Sequence, residues 1–543
     1  MKFNKLLTII FTVFALANIT AAHAEDNNKG EDEPAEISIG ERLFLETRFS
    51  QAYYAHPWQA DPVMDKTVMF NSTLRGPFAG KTMNCRACHM VDEHAKNPVA
   101  GIRSYADFAS RPPVPRRDDH AVTSARNSMS MVNISISRQH GTVFHYDGEF
   151  DSMEDLVRGT LTGRNYGWMP KERALAIQHI ARIIRADNGM GELAKEFGGS
   201  YRKVFTATSE DLAKKFRLPA TYRLNVDTAS DQAIFNLVAK LVSAYVTDLN
   251  FSRDEQGIYN GSPYDEFLKI NNLPRKAGKN ESLSAYSQRL IKAVEAIKSP
   301  KFVMNSTRKF VSHKQKFLFS EKELRGMKLF FSKGSHNTSG GNCISCHTAP
   351  HFSDFGFHNT GLAQQNYDAL HGNGAFKKLH IPGLKERNQH PDNFLPATSL
   401  HPEATSRFRS IASKNKPGYT DLGLWNIFAN PDMPRQQQKL KKILCSQRKP
   451  AKVHNCDTDA LLETAIAAFK TPVLRDLGHS NPYMHTGQFP VLEQAIRFYI
   501  SSSTLAKNNL LRNPEPALKD IKLANEDIEP LLAFLKSLNE DYE

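Results

Sequence analysis

Cys85-Arg86-Ala87-Cys88-His89 and Cys343-Ile344-Ser345-Cys346-His347 are two copies of one pattern, C-x-x-C-H, set 258 residues apart. In c-type haem attachment, the two cysteine sulfurs form thioether bonds to the porphyrin and the histidine is the proximal iron ligand. A zinc site or a redox dithiol is the alternative for a lone C-x-x-C. Neither of these sites requires a histidine directly after the second cysteine. Two chance copies of the full pattern are also not expected in a chain with six cysteines. The sequence therefore predicts two covalently bound haem c groups.

The first 24 residues have the pattern of an export signal. Lys2 and Lys5 precede a short apolar run over 6–16, and Ala22-His23-Ala24 offers a small-x-small cleavage site. The run is short for a membrane span, and an uncleaved anchor is the alternative. We therefore expect a bacterial periplasmic protein with no stable membrane span after cleavage.

The length and an internal repeat predict two domains. A chain of 543 residues exceeds what one hydrophobic core usually supports. A helical pattern over 39–44 precedes the first motif, and a capped helical pattern over 320–331 precedes the second. Strand signals are sparse. We expect a mostly α protein with two cytochrome c-like haem domains and inserted loops and helices, at 25–318 and 319–543.

Charge and the remaining cysteines add two expectations. The formal net charge is +13, and basic residues concentrate over 275–316 and 433–454. These stretches either steer an acidic partner or are solvated surface, whereas nucleic acid is not expected for an exported haem protein. Cys445 and Cys456 are close in sequence, so in an oxidising compartment we expect a disulfide, with two free thiols as the alternative.

Several segments resemble the bacterial di-haem cytochrome c peroxidases and MauG-like proteins. The similar segments are 126–133, 146–148, 352–361, 469–475, 480–487 and 492–499. The resemblance implies a peroxide-reacting haem in the N-terminal domain and an electron-transfer haem in the C-terminal domain. It also implies an electron donor, either a small periplasmic c-type cytochrome or a cupredoxin. A homodimer is left open.

The resemblance assigns a sixth iron ligand to the second haem. Many peroxidases have methionine there and MauG-like proteins have tyrosine, and Tyr499 occupies the position in this chain. A phenolate ligand favours ferric iron relative to methionine. The alternatives are that Tyr499 is a packed helix aromatic, or that Met484 is the ligand.

At the first haem the resemblance implies a removable distal histidine, and His120 is the best candidate by position. His94, His140 and His145 are alternatives, as is an ordinary surface role for His120. Tyr146 aligns with the family's interhaem tryptophan, a role that Trp168 is also able to take. The family's distal glutamine and glutamate, which move protons, align with Leu156 and Tyr166. Glu154 and Asp155 are nearby acids, off register by one or two residues.

The resemblance further implies a calcium site between the domains. It would use the Asn127 side chain and backbone carbonyls near Ser480 and Pro482, because oxygen ligands suit Ca²⁺. An ordinary hydrogen-bonding role for Asn127 is the alternative.

Three functions compete at this stage. The first is a peroxidase-like oxidoreductase that reduces hydrogen peroxide. The second is MauG-like oxidation of an organic or protein substrate, favoured by Tyr499. The third is a di-haem electron carrier or redox sensor without catalysis, favoured by the missing distal glutamine and glutamate.

Overall fold

A computed structural model describes residues 33–55, 84–85, 88–89, 126–207, 212–304, 308–310, 313–447 and 456–540. His120 and His94, and the predicted export signal, lie outside these residues. Helices dominate and only two short strands occur in the described part, so the mostly α prediction is confirmed. In the same ranges, no helix has both the length and the apolar character needed to cross a membrane.

The first half of the described chain contains nine α-helices. Their bounds are α1 Ala35–Phe44, α2 Gln51–Ala55, α3 Met153–Leu161, α4 Arg173–Ala186, α5 Glu192–Glu196, α6 Tyr201–Thr206, α7 Asp231–Asp248, α8 Pro263–Ile270 and α9 Leu283–Glu295. Short 3₁₀ helices lie at Arg164–Tyr166, Pro170–Glu172, Lys214–Phe216 and Ala220–Tyr222.

The second half contains nine more. They are α10 Glu321–Phe331, α11 Leu362–His371, α12 Ala375–Lys378, α13 Leu384–Gln389, α14 Pro391–Phe394, α15 Gln437–Ser446, α16 Thr458–Ala465, α17 Leu492–Lys507 and α18 Asn525–Lys536. Its 3₁₀ helices are Cys343–Ser345, Leu424–Asn426, Leu477–His479 and Pro516–Asp520. Strands β1 Phe357–His358 and β2 Phe469–Lys470 pair antiparallel.

Capping side chains begin the helices where the sequence predicts them. The Ser152 hydroxyl accepts from the Asp155 amide at the start of α3, and Ser320 with Glu323 forms a capping box on α10. Apolar residues at helical spacing then bury one face of each helix. These local signals explain why α3 begins directly after Ser152 and α10 directly after Ser320.

The buried apolar residues form three main clusters. The first lies around α1, α3, α4 and α7, and the second around α10 and α18. Helices α8 and α9 pack into the second cluster, although the predicted boundary at 318 assigns them to the first domain. The third cluster joins Val143 to residues of 357–469, including β1. The structure also forms the Cys445–Cys456 disulfide, as expected.

Candidate haem sites and the junction between them

Both C-x-x-C-H motifs fold into the same tight turn. The His89 amide donates to the Cys85 carbonyl at 2.9 Å, and the His347 amide donates to the Cys343 carbonyl at 2.8 Å. The amide of the second cysteine donates to the carbonyl of the first in each motif. The two motifs therefore present equivalent local backbones, as two sites for one kind of cofactor require.

Each motif histidine has one ring nitrogen held by a backbone carbonyl. His89 Nδ1 lies 2.8 Å from the Met129 carbonyl, and His347 Nδ1 lies 2.9 Å from the Phe352 carbonyl. Burial lowers the pKa of His89 to about 4 and also lowers the pKa of His347, so both rings are neutral. A neutral ring that donates through Nδ1 leaves Nε2 free for a metal. The arrangement fits a proximal iron ligand in both motifs.

The four motif cysteines are free of disulfides. Burial raises the pKa of Cys85 to about 11 and those of Cys88 and Cys343 to about 12. Each motif thus offers two neutral thiols and one imidazole, which is the donor set that haem c requires.

At the first motif, the structure separates the two candidate proton carriers. The Tyr166 hydroxyl lies 3.1 Å from Cys85 Sγ, and burial raises the pKa of Tyr166 well above its ordinary value. Glu154 is 43% exposed and pairs with Arg158 at 3.1 Å. Leu156 packs against the first apolar cluster. Of the aligned side chains, Tyr166 therefore contacts the motif, whereas the off-register Glu154 is largely exposed.

Three other candidate residues of the N-terminal half, Asp155, His145 and Trp168, are held by neighbouring residues. Asp155 is bound by Arg158 and Arg435. His145 Nδ1 lies 2.9 Å from Glu149, and His145 contributes to the low pKa of His89. Trp168 is buried in the first cluster, where its indole donates to the Phe49 carbonyl.

Tyr146 lies on a continuous route between the two motif histidines. Its hydroxyl donates to the Ser128 carbonyl at 3.3 Å, and Ser128 precedes Met129, whose carbonyl holds His89. The Tyr146 carbonyl accepts from the Lys470 amide at 2.7 Å, two residues before Pro472. The nearby Pro472 carbonyl opposes the lowering of the His347 pKa. Tyr146 therefore contacts segments that lead to both motif histidines.

Tyr499 lies on α17, near the second motif. Burial, followed by the nearby sulfurs of Cys346 and Cys343, raises its pKa. Met484 lies instead where segments from the two halves of the chain meet, a region called the junction below. Its carbonyl is 3.3 Å from the side-chain amide nitrogen of Asn127. Of the two ligand candidates, Tyr499 is the one with a described electrostatic contact to the motif.

Asn127 joins the two halves of the chain. Its backbone amide donates to the His485 carbonyl, and its side-chain amide donates to the Pro482 carbonyl at 2.8 Å. Asn127 Oδ1 is buried without a partner among the described residues. The Ser480 hydroxyl donates to the Asp476 carbonyl. An orphan amide oxygen beside two carbonyls has the donor chemistry of a Ca²⁺ site.

Sequence reasoning missed two groups beside these sites. His358 lies between Asp354 at 2.8 Å and Glu515 at 2.7 Å, next to Cys346. Arg126 bridges Asp147 and Asp421, each at 2.6 Å. Residues 352–361 and Arg126 lie in segments that resemble the family, but nothing in the sequence shows which distant acids they contact.

The comparisons with known proteins come from local similarity. No family model matches the chain. The chain is 24% identical over 208 residues to the cytochrome-c peroxidase IdrP2 of Denitromonas iodatirespirans, covering 37% of each. It is 36% identical over 72 residues to the methylamine utilization protein MauG of Methylophilus methylotrophus, covering 13% of this chain and 20% of that one. The chain thus spans little more than a third of the first relative.

Two solved structures are also similar. They are the diheme peroxidase BthA of Burkholderia thailandensis (TM-score 0.42, 16% identity, 94% of this chain and 86% of that chain) and a MauG-like protein associated with microbial copper homeostasis (TM-score 0.44, 18% identity, 93% and 90%).

The paired motifs and these local similarities together point to two haem groups. Over part of its length the chain is similar to cytochrome-c peroxidases and to MauG.

Proposed function

We propose that this protein is a periplasmic c-type di-haem oxidoreductase that reduces hydrogen peroxide with electrons from a small redox protein. The observation that supports it most is the pair of equivalent motif turns, each with its histidine held through Nδ1. Two haems, when bound by Cys85, Cys88 and His89 and by Cys343, Cys346 and His347, supply the two electrons that peroxide reduction needs.

Residues of the chain itself would supply a proton, position the loops that carry the histidines and bind calcium. Tyr166 carries its hydroxyl proton at neutral pH, as tyrosine ordinarily does, and burial raises its pKa further, so its Oη is a proton donor beside the first motif. Tyr146 spans the junction and holds the two histidine-bearing loops in fixed register. Asn127, Pro482 and Ser480 would hold Ca²⁺ there and fix the same loops.

MauG-like oxidation of an organic or protein substrate is the second candidate. Tyr499 favours it, because a tyrosine near the second motif matches the ligand that MauG-like proteins carry. A slow peroxide turnover together with oxidation of a reducing organic substrate would favour this function over the first.

Peroxide consumption by the two-haem protein, with a reduced c-type cytochrome as donor, tests the proposal. Tyr166→Phe removes the hydroxyl beside Cys85 and is expected to slow turnover about 10²-fold, the low end of general acid–base assistance. Glu154→Gln is the matched control and is expected to leave turnover unchanged, since Glu154 faces solvent.

Three results would contradict parts of this account. No turnover in the wild-type protein would leave electron transfer or sensing as the function. Equal rates for Tyr166→Phe and wild type would remove Tyr166 as the proton donor. A loss of rate in Glu154→Gln alone would move the donor to α3.

A further inference from the structure

Arg138 and Lys470 are two cations that converge on one carbonyl. Arg138 Nη1 and Lys470 Nζ donate to the Val143 carbonyl at 3.0 and 3.1 Å. Lys470 is 4% exposed, and this is the single hydrogen bond described for its three donors. Arg138 Nε is buried with no partner in the described part of the chain. Both groups therefore retain donors that nothing described here satisfies.

Neither cation forms an ion pair with a carboxylate in the described ranges. The Asp147 carboxylate influences Lys470 only electrostatically and forms no ion pair with it. Its oxygens pair instead with Arg126 and Arg409. Burial lowers the pKa of Arg138 to about 10 and that of Lys470 well below its ordinary value. A cation removed from water without an anion beside it is costly, since carbonyl bonds such as those to Val143 and Ile134 replace only part of its lost hydration.

Arg138 is partly buried, and the fully buried arginines of this chain show the two usual solutions. Arg475 makes a two-pronged ion pair with Asp265 at 2.9 Å, and Arg42 pairs with Asp187 at 2.8 Å. Arg387 has no acid, yet its nitrogens donate to three backbone carbonyls and to Asn388. Arg138 and Lys470 have no acid beside them, and carbonyls satisfy only some of their donors. This combination indicates a missing anion.

The positions of Arg138 and Lys470 in the fold indicate which kind of anion is missing. Lys470 lies in β2 opposite Phe357, and Arg138 lies over the Phe355 ring at 4.3 Å. Phe355 follows Asp354, whose amide donates to the Cys346 carbonyl at 2.7 Å. The Lys470 amide also bonds to Tyr146, on the route to the first motif. Both cations therefore lie against the loop that follows the second motif, and Lys470 also contacts the segment that carries Tyr146.

We propose that Arg138 and Lys470 bind propionate carboxylates of haem at this junction. Propionate supplies the negative charge and the acceptor oxygens that both cations lack. The inference rests on the haem binding proposed above. Failure of haem binding would appear as missing cofactor, whereas failure of this inference would appear in protein that carries both haems.

The test uses the two-haem protein with carbon-13 label at the propionate carboxyls. Lys470→Met and Arg138→Met are compared with wild type by redox-difference infrared spectroscopy and by potentiometric titration from pH 5 to 9. We expect the labelled carboxylate bands to shift. We also expect the midpoint potential of one haem to fall, with a pH dependence displaced to higher pH. Loss of a cation leaves the propionate charge uncompensated, which favours ferric iron and raises the propionate pKa.

Lys439→Met is the matched control, because Lys439 donates to carbonyls of Thr142 and Asp151 beside the same loop. It is expected to leave the bands and potentials unchanged. Should the methionine variants fail to fold, Lys470→Arg and Arg138→Lys keep the charge and are expected to shift the bands without a fall in potential. Labelled bands identical to wild type in every variant at 138 and 470 would overturn the proposal.

Discussion

Tyr499 is the candidate sixth ligand that lies near the second motif. It is partly buried on α17, and the sulfurs of Cys346 and Cys343 contribute to its raised pKa. Tyr499→Phe removes the only atom of this side chain able to bind iron. We expect the visible spectrum of one ferric haem to change from a six-coordinate form to an open or water-bound form.

Met484→Leu is the control for that experiment. The Met484 side chain has no role in the Asn127 contact, which uses its backbone carbonyl. It should leave the spectra unchanged. A spectral change in Met484→Leu together with none in Tyr499→Phe would make Met484 the ligand.

Glu540 is a buried acid that links the C-terminal segment to the loop after α7. Its Oε1 accepts from the Ser252 amide at 2.7 Å, while Oε2 has no hydrogen-bond partner in the described chain. Burial raises its pKa from 4.5 to about 8, against the nearby positive charge of Arg475. The folded protein therefore holds this proton more tightly than the unfolded chain does.

This linkage predicts that Glu540 makes stability fall as pH rises from about 4.5 to about 8. Its contribution is fully present below pH 4.5 and is lost as the folded form deprotonates. Glu540→Gln should flatten that part of the stability profile, as measured by thermal unfolding at pH 5, 6.5 and 8. Exposed Glu529→Gln serves as the control, and an unchanged slope in Glu540→Gln would contradict the shift.

At the scale of elements, each motif is preceded by a helix that crosses a later helix at a glycine. A Cβ on Gly40 of α1 would meet the Leu241 carbonyl of α7, and a Cβ on Gly326 of α10 would meet the Pro530 carbonyl of α18. The internal repeat in the sequence thus corresponds to the same type of helix–helix contact, made through a glycine, in both halves of the chain. Backbone contact at these positions sets how closely the helices approach.

Gly326→Ala should consequently lower the free energy of unfolding by about 1–3 kcal/mol, the usual cost of overpacking. Denaturant unfolding of the protein measures it. Gly383→Ala is the matched control, because Gly383 has negative φ and open space around its Cα. Equal stabilities for the two variants would show that α10 and α18 separate at little cost.

The predictable parts of this structure are those encoded locally. The motif turns, the caps at Ser152 and Ser320, and the amphipathic helices follow from residues within one or two turns. The outward direction of Glu154 was not evident, because it depends on Val157 and Leu161 facing the core. The contacts of Arg126 with Asp421 and of Asn127 with Pro482 span 295 and 355 residues, which no local pattern encodes.

For the whole molecule, segments of both halves of the chain meet at one junction near the two C-x-x-C-H motifs. Segments around 126–149, 407–421 and 469–485 meet there through buried ion pairs and the Asn127 bonds. Tyr146, Arg138 and Lys470 lie in the same region. A single junction that contacts both histidine-bearing loops is what electron transfer between two centres requires.

The mass of the intact, denatured protein tests the central claim most directly. The account predicts a chain that begins after residue 24 and carries the added mass of two haems, retained under conditions that remove non-covalent cofactor. Cys85→Ala and Cys346→Ala should each yield protein deficient in one of them. A wild-type mass with one haem or none would contradict the di-haem account.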